Sequence, residues 1–338
     1  MGSALADLQH LSLECREAIA RRLPASAQNA TAIAMRRDFE RDLMDRFERL
    51  MARVPIRRIV AAYMAKEPGS LSAEERETAA REIATDFEKQ LTSIVSSGET
   101  PTQQALARHI ARGYMQGATQ VEDALRRGMF RESIREEEIE EAFDRPMPAQ
   151  VIGWADKYSA QLVTRIDDTT RDAMRNTISR TLQAEYRGPS NMTDALAREF
   201  TFLSRSRAEL IARTEMNFAV SAGSLERAAA AGSTQKVWVT VGDDRVSTEI
   251  CLPNEAEGRI AITDAFPSGD LCPPGHPRCR CSCAYFGFTK DSVARALGGV
   301  GSDGADGPGG NEGQKSWLSM IGSIIGNLGA VKKLMAGA

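Results

Sequence analysis

The sequence predicts a mainly α-helical protein: a long helical N-terminal region, then a small α+β module rich in Cys and His and stapled by zinc, a glycine-rich linker and an amphipathic helix. Three observations predict this order. Apolar residues recur every three or four positions through most of the first 230 residues. Five of the six cysteines lie between Cys251 and Cys283. Seven glycines fall within residues 299–315.

Length and composition indicate a soluble chain of about two domains. Of its 338 residues, 42% are hydrophobic and 26% are charged. These values exclude a disordered chain, a collagen-like fibre and a multi-span membrane protein. The net charge of −3 means that any contact with nucleic acid must come from a local basic patch. The first ten residues lack the basic and apolar regions of a signal peptide, so we expect folding in a cytosol.

Residues 1–146 are predicted to form the helical N-terminal region. Apolar residues lie on one face of a helix at Met35, Phe39, Leu43, Phe47 and Leu50. A break follows at Pro68-Gly69-Ser70. After it, Ser72 with Glu75 three residues later is typical of a capping box, which predicts a new helix start.

Residues 147–231 are predicted to be a region of long helices. Apolar positions at helical spacing are Val151, Trp154, Tyr158, Leu162, Ile166, Met174, Ile178 and Leu182. A further helix is expected from about Ser204 to Ala231. On it, Glu209, Arg213 and Asn217 are spaced four apart along one stripe. The stripe indicates either a salt bridge or a polar anchor for the module that follows.

The Cys-rich module, residues 232–290, has a different character. Residues 236–241 alternate and are rich in β-branched types, which predicts a strand. In the following turn, Asp243 and Asp244 are interpreted as turn formers, with a carboxylate pair as the alternative. The remaining segments are short and interrupted by Pro and Gly, so we expect little apolar core and a need for a staple.

The cysteines and one histidine predict that staple to be a zinc ion. Zinc favours four nitrogen and sulfur ligands in a tetrahedron. Here His276-x2-Cys279-x-Cys281-x-Cys283 packs such ligands densely, and Cys251 offers a distant one. The predicted ligands are Cys251, His276, Cys279 and Cys281, with Cys272 and Cys283 in reserve. Unliganded thiols or disulfides are the alternative.

The motifs favour a structural metal and no enzymatic activity. A catalytic zinc keeps an open position and needs a general base nearby. The sequence contains no His-x-Glu ahead of Pro-Cys-x-x-Cys and no His-Glu-x-x-His. It also lacks Gly-x-Ser-x-Gly and the phosphate-binding Gly-x4-Gly-Lys-Ser/Thr. We therefore predict no catalytic residues.

Residues 299–315 are predicted to be a flexible linker, and residues 316–336 an amphipathic helix. Its apolar stripe is predicted to contact a partner protein or a membrane through Trp317, Leu318, Ile321, Ile324, Ile325 and Leu328. Docking on a virion protein or on another copy is weighed against insertion in a membrane interface and against an intramolecular cap.

An ordered set of short motifs runs from Ser206 to Cys283. It begins with Arg207-Ala-Glu-Leu-Ile-Ala-Arg-Thr-Glu215 and ends with Pro273-Pro274, His276-Pro277 and Cys279-Arg280-Cys281. Between them the motif positions include Arg213, Glu215, Asn217, Trp238, Asp244 and Arg245. In order and spacing this stretch resembles the Mu F-type minor head proteins of tailed phages, also called head morphogenesis proteins. Each motif is weak alone, whereas their ordered combination is specific.

The resemblance implies a minor capsid protein of a tailed bacteriophage, internal or portal-associated, that acts in head morphogenesis and in DNA packaging or ejection. The implied partners are the portal protein, capsid or scaffolding proteins and phage DNA. Copies could also associate with one another in the virion. The protein would be located in the virion, and in the host cytoplasm during assembly. The alternatives are a zinc module that binds nucleic acid through Arg259, Arg278 and Arg280, and a membrane-active ejection protein.

Overall fold

The computed structural model describes residues 29–96, 100–130, 149–184, 189–289 and 292. The predicted linker and the amphipathic helix of residues 316–336 lie outside the described residues. The helices are α1 (Ala30–Ala52), α2 (Ile56–Met64), α3 (Ala73–Asp86), α4 (Glu88–Ser96), α5 (Thr100–Phe130), α6 (Ala149–Gln183), α7 (Pro189–Ala230) and α8 (Cys251–Ala256). The strands are β1 (Gln235–Val239), β2 (Ile260–Ala261) and β3 (Ser282–Phe286). This order confirms the predicted fold class.

The chain divides into two compact units, each built from segments that are distant in sequence. The helical unit comprises residues 38–107 and 156–212. Among the described residues, the module-bearing unit comprises 29–37, 108–130, 149–155, 213–289 and 292, and so contains the Cys-rich module together with parts of α5, α6 and α7. The domain boundaries predicted from the sequence follow the order of the chain, whereas this division follows contacts. Those boundaries therefore stay a prediction.

The helical unit has an apolar core formed by the periodic residues of its helices. Tyr63, Leu91 and Phe200 are among its fully buried members, and Met174, Ile178 and Leu182 join them from α6. The predicted capping box is present at the start of α3. The Glu75 main-chain N–H donates to Ser72 Oγ at 3.2 Å, and the Ser72 N–H donates to the Glu75 carboxylate at 2.8 Å.

The module-bearing unit contains a close packing of α5 against α7. A Cβ atom added at Gly117 would overlap the Val220 main-chain oxygen, and one added at Gly223 would overlap the Tyr114 main-chain oxygen. Gly113 faces Met216 and Ala219 in the same way. The two backbones therefore approach each other as closely as only glycine allows.

The Cys-rich module folds as a three-stranded antiparallel sheet in the order β2-β1-β3. The central strand β1 is buried from Lys236 to Val239, so both of its faces are covered. Trp238 is opposite Cys283 in the register and packs edge-on against Phe266, with ring centroids 5.2 Å apart. This small core includes all five cysteines of the module.

Candidate metal centre

Three of the predicted ligands meet in the Cys-rich module. Cys251 opens the short helix α8, and His276 and Cys279 lie on the loop that precedes β3. Their ligand atoms all lie within 4.8 Å of one another, and the two sulfur atoms are 3.9 Å apart. Both cysteines are buried, at 0% and 1% exposure. This group could hold a metal ion, because soft thiolate and imidazole donors are the ligands that zinc and related ions favour.

The His276 ring is oriented by its own loop. Its Nδ1 lies 2.9 Å from the Pro277 main-chain oxygen. Since a carbonyl oxygen only accepts hydrogen bonds, Nδ1 carries the proton and donates it there. The arrangement leaves Nε2 as the metal-binding atom, with Nδ1 held by an outer hydrogen bond, as is usual for histidine ligands.

The electrostatics of the group favour a thiolate at Cys279. Hydrogen bonds from Cys251, Cys281 and His276 hold the pKa of the Cys279 thiol well below its usual range. Hydrogen bonds that the His276 imidazolium donates to the sulfurs of Cys251 and Cys279 raise the pKa of His276 to about 10. Because the thiolate is the form that binds metals, the site is already polarised for a cation.

Cys281 lies next to this group. Its thiol hydrogen-bonds with both Cys251 and Cys279, and these bonds, together with burial, raise its pKa well above the ordinary value. It does not belong to the set whose ligand atoms all lie within 4.8 Å of one another.

The two reserve cysteines surround a buried lysine instead. Burial raises the pKa of Cys272 to about 12 and that of Cys283 well above its usual range. Both thiols interact electrostatically with Lys236, whose side chain is fully buried. The lysine Nζ donates to the Leu271 main-chain oxygen at 2.8 Å and lies 5.3 Å from the centre of the Phe266 ring. None of the five described cysteines is in a disulfide.

The loop that carries His276 is supported by a polar network. Ser268 Oγ accepts from Asn254 Nδ2 at 2.8 Å and donates to the Asp270 carboxylate at 2.7 Å. Burial raises the pKa of Asp270 to about 6, against the opposing effect of the Ser268 hydrogen bond. Asn254 is itself fully buried on α8. The network therefore ties the loop of residues 266–272 to the helix that begins with Cys251.

The helix α7 contacts the turn of residues 278–281, which we call the two-cysteine turn. Asn217 Nδ2 donates to the main-chain oxygens of Cys279 at 2.9 Å and of Cys281 at 3.4 Å. The Arg278 N–H donates to Thr214 Oγ1 at 3.2 Å. Of the two interpretations of the polar stripe on this helix, these contacts support the anchor, with Asn217 as the residue that makes it.

The other predicted motif residues are placed in different surroundings. Trp238 is fully buried in the module core and Glu215 is buried on α7, whereas Arg213 is half-buried. Asp244 and Arg245 are exposed in the turn after β1. The neighbouring Asp243 has a role that its interpretation as a turn former missed: its carboxylate forms an ion pair with Arg280. The sequence signal for this ion pair was Arg280, because an arginine between two buried cysteines needs a negatively charged partner.

Comparison with known proteins gives one family. A family model described as "Phage Mu protein F like protein" matches residues 103–284, more than half of the chain. The matched span includes α5, α6, α7 and the sheet module with Cys251, His276, Cys279 and Cys281. No curated protein and no solved structure matches the chain. Among the described residues, no helix has the length and apolar character needed to span a membrane.

Proposed function

We propose that the protein is a minor head protein of a tailed bacteriophage that acts at the portal vertex or inside the head. The chain belongs to the family of phage Mu protein F like proteins. The family membership supports a role in phage head morphogenesis and a place in the virion. The observation that carries the proposal is the extent of the match, which covers the long helices and the whole candidate metal centre.

We further infer that the metal is zinc and that it is structural, with Cys281 as the fourth ligand beside Cys251, His276 and Cys279. All four are nitrogen or sulfur donors, as a closed tetrahedral zinc site requires. Cys281 hydrogen-bonds with two of the other three ligands, Cys251 and Cys279. Cys272 and Cys283 are held against Lys236, which makes them the weaker candidates.

The expected contribution of the metal is to join parts of the module that are far apart in sequence. Cys251 and Cys279 are separated by 28 positions, and the strands of the module's sheet are only two to five residues long. Such a small core needs an added constraint to be stable. Holding α8 and the two-cysteine turn together would give the protein a rigid surface for binding other virion proteins.

The expected partners are the portal protein and capsid or scaffolding proteins. The interpretation as a nucleic-acid module is less well supported, because two of its three arginines have intramolecular partners. Arg259 lies 4.1 Å from the centre of the Phe286 ring, and Arg280 is paired with Asp243. Contact with phage DNA, oligomer formation and a membrane contact through residues 316–336 stay proposals that the described residues do not address.

Mass spectrometry of particles tests the proposed function most simply. We expect the chain in purified procapsids and virions of the phage that encodes it, at far fewer copies than the major capsid protein. Tagged full-length chain should also capture the portal protein from an infected-cell extract, and the same chain truncated after residue 298 shows whether the last segment is needed. Absence of the chain from both kinds of particle would contradict the proposal.

A further inference from the structure

Asn217 is a buried amide on α7, the helix that contacts the two-cysteine turn. Its exposure is 2%, and its Nδ2 reaches two main-chain oxygens of the two-cysteine turn, at 2.9 and 3.4 Å. Ser221, one helical turn later, is within 3.4 Å of Asn217 Oδ1 and donates to it. The amide group thus has partners on both of its ends, which fixes its orientation.

The two oxygens that Asn217 holds belong to the residues that carry the thiols, Cys279 and Cys281. Fixing both carbonyl groups fixes the peptide planes that follow Cys279 and Cys281. One amide that holds both carbonyl groups therefore fixes the backbone from which the two sulfurs project. The Arg280 side chain pairs with Asp243, which retains it away from the thiols.

A second contact from α7 supports the start of the same turn. Arg278 has a φ of 60°, in the left-handed region that side chains other than glycine seldom adopt. Its N–H donates to Thr214 Oγ1 at 3.2 Å. Thr214 and Asn217 are three positions apart and lie on the same face of α7. The helix therefore provides a fixed template for a turn whose own backbone is strained.

We propose that Asn217 is a positioning residue of the metal centre, which orients the two thiols of the two-cysteine turn from α7 and thereby couples metal binding to the order of that helix. The inference rests on the zinc site proposed above. Partners in the outer layer of metal sites commonly change metal affinity by about 10- to 100-fold when they are replaced. By linkage, the metal stabilises the helix around Asn217 as much as the helix favours metal binding.

The variant Asn217→Leu removes both donated hydrogen bonds and keeps a side chain of similar size. In the full-length chain, we expect its zinc affinity to fall at least about tenfold, measured by competition with a chromophoric chelator. We also expect the absorption bands of the cobalt-substituted variant to shift, because the thiolates are reoriented. The matched control, Asn191→Leu, makes the same substitution at an exposed position near the start of the same helix and should stay close to the parent protein in both measurements.

Two outcomes separate this inference from the zinc site itself. If the parent protein binds zinc and Asn217→Leu binds it equally tightly with the same cobalt spectrum, the role of Asn217 is refuted while the zinc site stands. If the folded parent protein binds neither zinc nor cobalt, the zinc site fails and the inference fails with it.

Hydrogen exchange on the parent protein covers the case in which Asn217→Leu does not fold. Chelation of the metal should increase exchange in residues 213–221 of α7 together with the two-cysteine turn. The helix α2 (Ile56–Met64), which belongs to the helical unit, serves as the internal reference and should be unchanged. Increased exchange in the two-cysteine turn without any change in residues 213–221 would overturn the proposed coupling.

Discussion

Glu226 is a carboxyl group on α7 whose environment disfavours its charge. Its Oε2 atom is buried, and among the described residues nothing donates a hydrogen bond to it. Burial raises the pKa of Glu226 to about 7 from its ordinary 4.5, although Arg227 opposes the shift. The folded state binds this proton more tightly than the unfolded state, so the protein loses stability as the carboxyl group ionises. The loss begins above about pH 4.5 and is complete above pH 7.

The neutral variant Glu226→Gln should therefore be more stable than the parent protein at pH 8, by up to about 3 kcal/mol. The gain should shrink as the pH falls toward 5, because the parent carboxyl then becomes protonated. Thermal unfolding at the two pH values measures this, with the exposed Glu257→Gln as the control. A gain that does not depend on pH would show that the buried charge is not its cause.

Some residues of the site follow from the sequence, and others depend on the fold. Cys and His types at short spacing are sufficient to identify the metal-binding loop. Lys236 could not be identified in this way, because a lysine in a strand is ordinarily exposed. Its burial depends on Leu271 and Phe266, which are about 30 positions away and meet it only after the sheet forms.

At the scale of elements, α5 and α7 form a close contact within the module-bearing unit. Alanine is normally favoured over glycine in a helix by about 1 kcal/mol. At Gly117 and Gly223 the added methyl group would instead overlap a main-chain oxygen of the facing helix. The periodicity of the apolar residues predicts both helices, but the glycines, over 100 positions apart, do not show in the sequence that they face each other.

We expect Gly117→Ala to lower the free energy of unfolding by about 1–3 kcal/mol, the usual cost of overpacking. Gly153→Ala is the matched control, because Gly153 lies in α6 within the same unit and nothing approaches its missing Cβ within 4 Å. That control should raise stability by up to about 1 kcal/mol. Denaturant unfolding of the two variants compares them, and equal changes of the same sign would argue against the close contact.

At the scale of the whole molecule, the pattern of helices followed by a Cys-rich module is predictable because it depends on local periodicity and composition. The grouping into units is not predictable in this way. It joins residues 38–107 with 156–212, and it divides α7 between the two units. Long-range contacts decide that grouping, and short sequence patterns carry no information on them. The family match connects this architecture with phage head morphogenesis.

The central claim is that a structural zinc ion holds the Cys-rich module together. Zinc analysis with X-ray absorption on the full-length chain tests it most directly. We predict one zinc per chain with three sulfurs at about 2.3 Å and one nitrogen at about 2.0–2.1 Å. Cys281→Ser should reduce the sulfur number to two, whereas Cys283→Ser should leave it at three. A folded chain with no bound metal, or a metal shell that contains no sulfur, would contradict the account.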